Sequence, residues 1–313
     1  MQNQGTMNLK ILKNDALLLL TAAIWGLAFV AQRVGMRTLG PFAFNGVRFA
    51  LGALSLLPLI LAHNRREKRM HPGAPRRGNF PLAPLPAFLL TLLTGTVLFA
   101  AASLQQVGIV YTTAGKSGFI TGLYVVLVPL SGLLWGQRPG WGRWLGAVLA
   151  VTGLYFLTIT EAFTINRGDF LVLVGALFWA AHVQLVGWLA PRTDALRLAC
   201  LQFVVCAVFS LIAAFILETV TLTAVLATAW PILYGGLGSV GIAYTLQVIA
   251  QREAHPTHAA IILSLEGVFA VLGGWLFIAE TLSARGLLGC ALMLAGMISA
   301  QVTLFSRSRK AAR

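Results

Sequence analysis

Glu266 carries the sharpest chemical signal in this chain. It stands about nine residues into an apolar stretch, a depth of about 14 Å at about 1.5 Å of rise per residue. A carboxyl group at that depth costs at least about 3 kcal/mol to insert into hydrocarbon, so it is expected to face a bundle interior or a water-filled cavity. Two roles fit it there. Either it takes up a proton or binds a cationic group, or it stays protonated and ties two helices together through a backbone carbonyl.

Trp25 and Trp179 each lie about ten residues into their own apolar stretches, about 15 Å deep. Tryptophan prefers the membrane interface, where its N–H meets water. Two deep ones form either a stacking surface in a cavity or a packing contact between helices. His182 follows Trp179 by three residues, on nearly the same helical face. It is a candidate substrate contact, with a hydrogen-bonded packing histidine as the alternative. Tyr244, Gln247 and Ser264 are further candidates for inward-facing polar contacts, as are Gln105, Gln106 and Gln184. Lys116 lies close to the end of its stretch, where it either steers anions or snorkels to the interface. Its depth argues against a direct ion pair with Glu266. Arg48 is expected to pair with backbone carbonyls rather than with substrate. His258 is expected to be solvated, and Glu161 and Glu280 to be ordinary exposed end charges.

The elements that must position these residues follow from composition. Of 313 residues, 58% are apolar before the 32 glycines are counted, and 10% are charged. Mean hydropathy is +0.82. A soluble domain carries about 25% charged residues. The composition excludes a soluble enzyme, a disordered chain and a collagenous or disulfide scaffold, and leaves an all-α integral membrane protein. A spanning helix needs about 20 mostly apolar residues. Ten stretches qualify: 15–35, 42–62, 85–105, 112–135, 141–160, 169–189, 197–217, 231–250, 257–278 and 284–305. The first resembles a signal peptide but lacks a clear small-residue cleavage site, so it is expected to be retained.

Lys and Arg set the orientation. With both termini cytoplasmic, 17 basic residues fall in cytoplasmic segments, including Arg76, Arg77 and Arg138, against 3 outside: Arg37, Arg167 and Arg285. The net charge of +14 is therefore a topology signal rather than a nucleic-acid site. One connection is long, from His63 to about Pro84, and it is basic and proline-rich. Cys200, Cys206 and Cys290 sit in apolar stretches and read as small buried hydrophobes.

The chain also repeats itself. Ala23-Ile24-Trp25-Gly26 returns as Leu177-Phe178-Trp179-Ala180, and Arg48-Phe49 as Gln202-Phe203, at a spacing of 154. Thr112-Thr113-Ala114 matches Thr257-His258-Ala259 at 145, and Gly146 and Gly153 match Gly289 and Gly296 at 143. The halves divide at 1–165 and 166–313. Each holds an odd number of expected spans, so the second must enter from the opposite side. Inverted repeats of this kind build many secondary transporters, with the substrate site near the midplane. Small-residue spacings at Gly118/Gly122 and Gly142/Gly146 permit close helix approach. Gly235-Gly236-Leu237-Gly238 and Gly273-Gly274 are candidate hinges.

With a tryptophan in each leading helix, Leu265-Glu266-Gly267-Val268-Phe269-Ala270, Thr112-Thr113-Ala114-Gly115-Lys116 and Gly136-Gln137-Arg138, the chain resembles the drug/metabolite transporter superfamily, and within it the EamA-type permeases. The resemblance covers nearly the whole chain. It implies a ten-helix carrier whose cavity is lined by helices 1, 3 and 4 and their partners 6, 8 and 9, moving a small metabolite such as an amino acid, often outward. The family often has proline after the glutamate, where this chain has Gly267.

No phosphate-binding loop, metal-ligand spacing or Ser-His-Asp set is present. No catalytic residue, metal or cofactor is expected. The sequence leads to a multi-pass secondary transporter of the cytoplasmic membrane working by alternating access, with Trp25, Trp179, His182, Lys116, Tyr244, Gln247, Ser264 and Glu266 as substrate contacts and Glu266 as the proton-coupling group. Its partners would be a small-molecule substrate, membrane lipid and a second copy of the chain, and no nucleic acid. The alternative is an intramembrane enzyme or lipid-handling protein that uses Glu266 and His182. A channel would favour a ring of repeated charges, which is missing.

Overall fold

Hydrocarbon offers the backbone no hydrogen-bond partner, so apolar stretches of this length fold as helices that satisfy their own N–H and C=O groups. The computed structural model describes residues 2–70, 84–131, 141–158, 165–254 and 256–311, and no β-strand occurs among them. Arg76, Arg77, Arg138, Glu161 and most of the long basic connection lie outside the described residues. The helices are α1 (Gln2–Gly35), α2 (Pro41–Met70), α3 (Pro84–Ile109), α4 (Ala114–Thr121), α5 (Tyr124–Ser131), α6 (Trp141–Thr158) and α7 (Arg167–Leu189). They continue as α8 (Ala195–Leu217), α9 (Leu222–Ala227), α10 (Ala229–Leu233), α11 (Thr245–Ala250), α12 (Pro256–Leu263), α13 (Glu266–Ile278) and α14 (Ala284–Ala311). A π-helical segment, Tyr234–Tyr244, joins α10 to α11.

Six described helical stretches are long and apolar enough to cross a membrane: Leu12–Gly35, Pro41–Arg66, Leu89–Ile109, Arg167–Arg192, Ala195–Leu217 and Ala229–Ala250. Ala114–Val128, Trp144–Leu157, Glu266–Ile278 and Ala284–Gly296 are shorter apolar helices. The ten expected spans draw on both groups. Large apolar side chains cover the outer faces, with Phe215 at 89% and Trp275 at 61% exposure. Surfaces that apolar belong in contact with lipid.

Two of the expected spans are interrupted. Between α4 and α5, the N–H groups of Leu123, Val125 and Val126 donate to carbonyls three residues back at 3.2, 3.1 and 2.9 Å. Between α12 and α13, Leu265, Gly267 and Val268 do the same at 3.2, 3.2 and 3.0 Å. In both places the four-residue ladder tightens to the 3₁₀ pattern, which inside a longer helix often marks a hinge. The breaks fall at corresponding points of the two halves.

Glycine crossings hold the bundle. α4 meets α13 where Gly118 faces Gly267, and a β-carbon on Gly267 would lie 3.1 Å from the Cα and backbone nitrogen of Phe119. This close approach is the physical reason for glycine at 267. α6 and α14, the most extensively packed pair, cross through Gly153 against Gly289 and Gly146 against Gly296. These are the glycines that the spacing of 143 relates.

Candidate functional site

α1, α2, α3, α4, α5, α7, the π segment, α11 and α13 together enclose a cavity. It leaves about 20 Å³ for the centre of a water molecule, room for about one water. In this conformation the site is drawn in around itself, and a metabolite needs the walls to part.

Trp25 and Trp179 reach the cavity from α1 and α7 and are held in matching ways. Trp25 donates from Nε1 to the Ser239 carbonyl at 3.2 Å, on the π segment, and Trp179 donates to Oε1 of Gln105 on α3 at 2.7 Å. Each tryptophan is thus anchored on a helix of the other half. Tyr244 sits between them, its ring centroid 4.5 Å from Trp25 and 6.0 Å from Trp179, nearly parallel to the latter at 24°. Offset aromatic contacts of this geometry stabilise by about 0.5–1.5 kcal/mol each beyond burial.

The polar wall is only partly satisfied. Gln105 also donates to Gln32 at 3.1 Å and accepts from Thr121 at 3.4 Å, forming a network across α1, α3, α4 and α7. Glu266 begins α13, and the Tyr124 hydroxyl, at the start of α5, lies beside it. Oε1 of Glu266, the Tyr124 hydroxyl and both polar atoms of the Gln247 side chain are buried without a protein hydrogen-bond partner. Buried polar groups are satisfied in about 90% or more of cases, so a cluster of exceptions needs a cause. These four atoms line one cavity, whereas other unpartnered atoms, such as those of Gln106 and Ser210, lie outside its lining.

The structure brings Trp25, Trp179, Tyr244, Gln247 and Glu266 together and leaves the other expected contacts outside the lining. His182 is fully buried, shares a 2.8 Å hydrogen bond with Gln202 and sets its ring edge-on to Trp179 and Tyr244. It backs the aromatic wall. Ser264 lies buried in the break between α12 and α13. Lys116 points instead to Asp169, at 3.3 Å. Arg48, expected to bind carbonyls, lines the cavity and donates from Nε to Oδ1 of Asn45 at 3.0 Å. Gln32, Tyr124 and Ser239 join the lining without having been expected there. Their polar type was legible, but their neighbours depend on which helices meet. Among the described residues, no three His, Cys, Asp or Glu side chains gather as a metal site.

The EamA-like transporter family matches residues 12–159 and again 166–300. The chain belongs to that family. It is 32% identical over 299 residues to an uncharacterized transporter of Archaeoglobus fulgidus, covering 95% of this chain and 88% of that one. It is 24% identical to the uncharacterized transporter YoaV of Bacillus subtilis, covering 91% of this chain and 95% of the relative. It is 27% identical to the uncharacterized inner membrane transporter YedA of Escherichia coli, covering 83% and 81%. A solved crystal structure shares the fold, with a TM-score of 0.68 at 18% identity over 95% of this chain and 98% of that one. These relatives are transporters by name rather than enzymes.

Polar latches close this EamA-like transporter at both ends of its cavity. At one end Glu218 accepts from the backbone N–H groups of Phe42 and Ala43 at 2.9 and 2.8 Å, capping the start of α2. Glu280 accepts from those of Ala114 and Gly115 at 3.1 and 3.3 Å, capping α4. An anion at a helix start is favoured by the unpaired N–H groups and the helix dipole. Glu280 is therefore no ordinary end charge. It reaches α4 because Ala279, at φ 53°, turns the chain sharply out of α13. Asp169, fully buried at the start of α7, accepts from Thr112 as well as Lys116. At the other end His258 meets Asp15 at 2.7 Å, and Arg197 donates to Asn64 at 2.8 Å. All of these contacts join residues of the first half to residues of the second.

Proposed function

We propose that this protein is a secondary transporter of the cytoplasmic membrane that carries a small metabolite, an amino acid or related amphipathic compound, by alternating access, with export the expected direction. The single observation that carries this reading is the cavity between the two interrupted helices. Its wall is aromatic, the polar atoms of Tyr124 and Gln247 in it are unpartnered, and Glu266 stands in it. Discontinuous helices at corresponding points of two repeats are where secondary transporters bind substrate.

In this reading ten helices span the bilayer as two inverted repeats of five, with both termini in the cytoplasm. The halves rock about the crossing of Gly118 with Gly267, and the latches at one end part while those at the other hold. Trp25, Trp179 and Tyr244 supply the apolar contact, and Gln247 and Glu266 the polar ones. Glu266 carries a proton in one direction of the cycle. Net charge on the substrate sets how membrane potential biases transport, by about 2.3 kcal/mol per elementary charge per 100 mV.

The test is uptake into liposomes containing the purified protein. A thermal-shift screen across amino acids, nucleosides, sugars and organic cations selects the labelled compound. Its uptake is then followed with and without an imposed pH gradient. Saturable uptake raised by the gradient is the expected result. Saturable uptake indifferent to the gradient removes the proton-coupling role of Glu266, and no uptake of any compound removes the transporter reading.

A further inference from the structure

Arg48 is an unusual residue to find in this wall. It is 2% exposed, lines the cavity and has no ion-pair partner among the described residues. A guanidinium carries five N–H donors. Nε is used by Asn45, and neither Nη makes a hydrogen bond to protein among the described residues. Asn45 is itself fixed, donating to the Ala102 carbonyl at 3.1 Å, so it holds Arg48 in one direction. The rings of Phe44 and Phe49 lie 5.6 and 5.0 Å from the guanidinium carbon. They favour a cation by their π faces but offer no hydrogen-bond acceptor. A buried charge is normally paired, and this one keeps its bidentate end free.

A purely architectural role does not account for the charge. The repeat counterpart of Arg48 is Gln202, on α8, which packs extensively against α2. A neutral side chain fills that position in the second half and is occupied by His182. The cation belongs to one half alone, so the cavity is electrically polarised rather than symmetric. Glu266 stands in the same lining, and it does not pair with Arg48.

We propose that Arg48 is the carboxylate-binding residue of this cavity, with its two free Nη nitrogens forming a fork for a substrate carboxylate. The proposal rests on the cavity being the transport site and narrows its substrate to compounds bearing a carboxylate, with Glu266 positioned to receive an ammonium group on the same molecule. The planar guanidinium matches a carboxylate bidentately, which a lysine does not. A zwitterion bound this way satisfies both buried charges and brings no net charge into the membrane.

The experiment uses the full chain in proteoliposomes. The probes are the proteinogenic L-amino acids, each paired with the amine that lacks only its carboxylate (leucine with isoamylamine, lysine with cadaverine), beside glucose, uridine and choline. At least one amino acid is expected to be taken up saturably, with its amine at least about tenfold poorer, because a site built for a polar group rejects the analogue lacking it. Arg48→Gln is expected to lower uptake of the amino acid to the level of the amine, abolishing the discrimination between the two. Arg48→Lys, which keeps charge without the fork, is expected to fall between. Equal uptake of acid-bearing and acid-free partners by the native protein overturns the proposal without any variant, so a misfolded Arg48→Gln does not shield it. Uptake confined to glucose, uridine or choline overturns Arg48's role and leaves the transporter reading standing. No uptake of any probe overturns both.

Discussion

Tyr124 and Glu266 are the first residues of α5 and α13, the helices that resume after the two interruptions, and the hydroxyl of one lies beside the carboxyl of the other. Each half thus brings one polar side chain to the same point by the same device. A helix start presents unpaired N–H groups, and a side chain at that position moves with the hinge that precedes it.

Glu266→Gln keeps the shape and removes the titratable group. Uptake driven by an imposed pH gradient is expected to disappear in this variant, while exchange of labelled for unlabelled substrate persists. A variant that still responds to the gradient as the native protein does would show that the proton travels elsewhere.

Trp25→Ala should weaken substrate binding more than it lowers the yield of monodisperse protein. Truncating a buried aromatic costs about 3–5 kcal/mol in a packed core, but Trp25 borders a cavity and its loss is shared with that space. Trp25→Phe, which keeps a ring and drops the bond to Ser239, should retain most binding. Quenching of tryptophan fluorescence by the transported compound gives the affinity, and size-exclusion profiles give the folded fraction. Equal loss of both in Trp25→Ala makes the residue a packing element.

Lys116 and Asp169 join α4 to α7, and Asp169 has no exposure of its own. Lys116→Met leaves a buried acceptor short of a partner, a loss of about 1–3 kcal/mol. Asp169→Asn and the double variant complete a cycle, and a coupling of at least about 0.5 kcal/mol in thermal unfolding is expected for groups in contact. Additive effects would mean that the contact contributes nothing to closing that end.

Gly267→Ala places a β-carbon 3.1 Å from the Phe119 backbone, where no side-chain rotation relieves it. Overpacking of this sort costs about 1–3 kcal/mol, read as a lower unfolding temperature in detergent. Gly238→Ala is the control: its nearest neighbour, the Ile24 Cγ2, is 3.9 Å away. Its effect should stay within about 0.5 kcal/mol. If both variants unfold alike, the crossing of α4 and α13 does not require glycine.

Hydropathy and residue spacing were enough to determine that this chain is a bundle of apolar helices, that a family pattern occurs twice along it, and that Trp25, Trp179 and Glu266 are interior. Depth and periodicity are properties of a line, and a line is what a sequence is. The breaks at Gly122-Leu123 and Ser264-Leu265 were not legible, because neither holds a proline and both sit in continuous apolar runs. Only the tertiary structure decided that Arg48 faces the cavity rather than a carbonyl, that Lys116 turns to Asp169, and that Glu280 crosses over to cap α4. Those outcomes depend on the rotation of each helix about its axis and on which neighbour it meets. Both are set by contacts between distant segments, at crossings such as Gly118 with Gly267, that no local pattern of residues encodes.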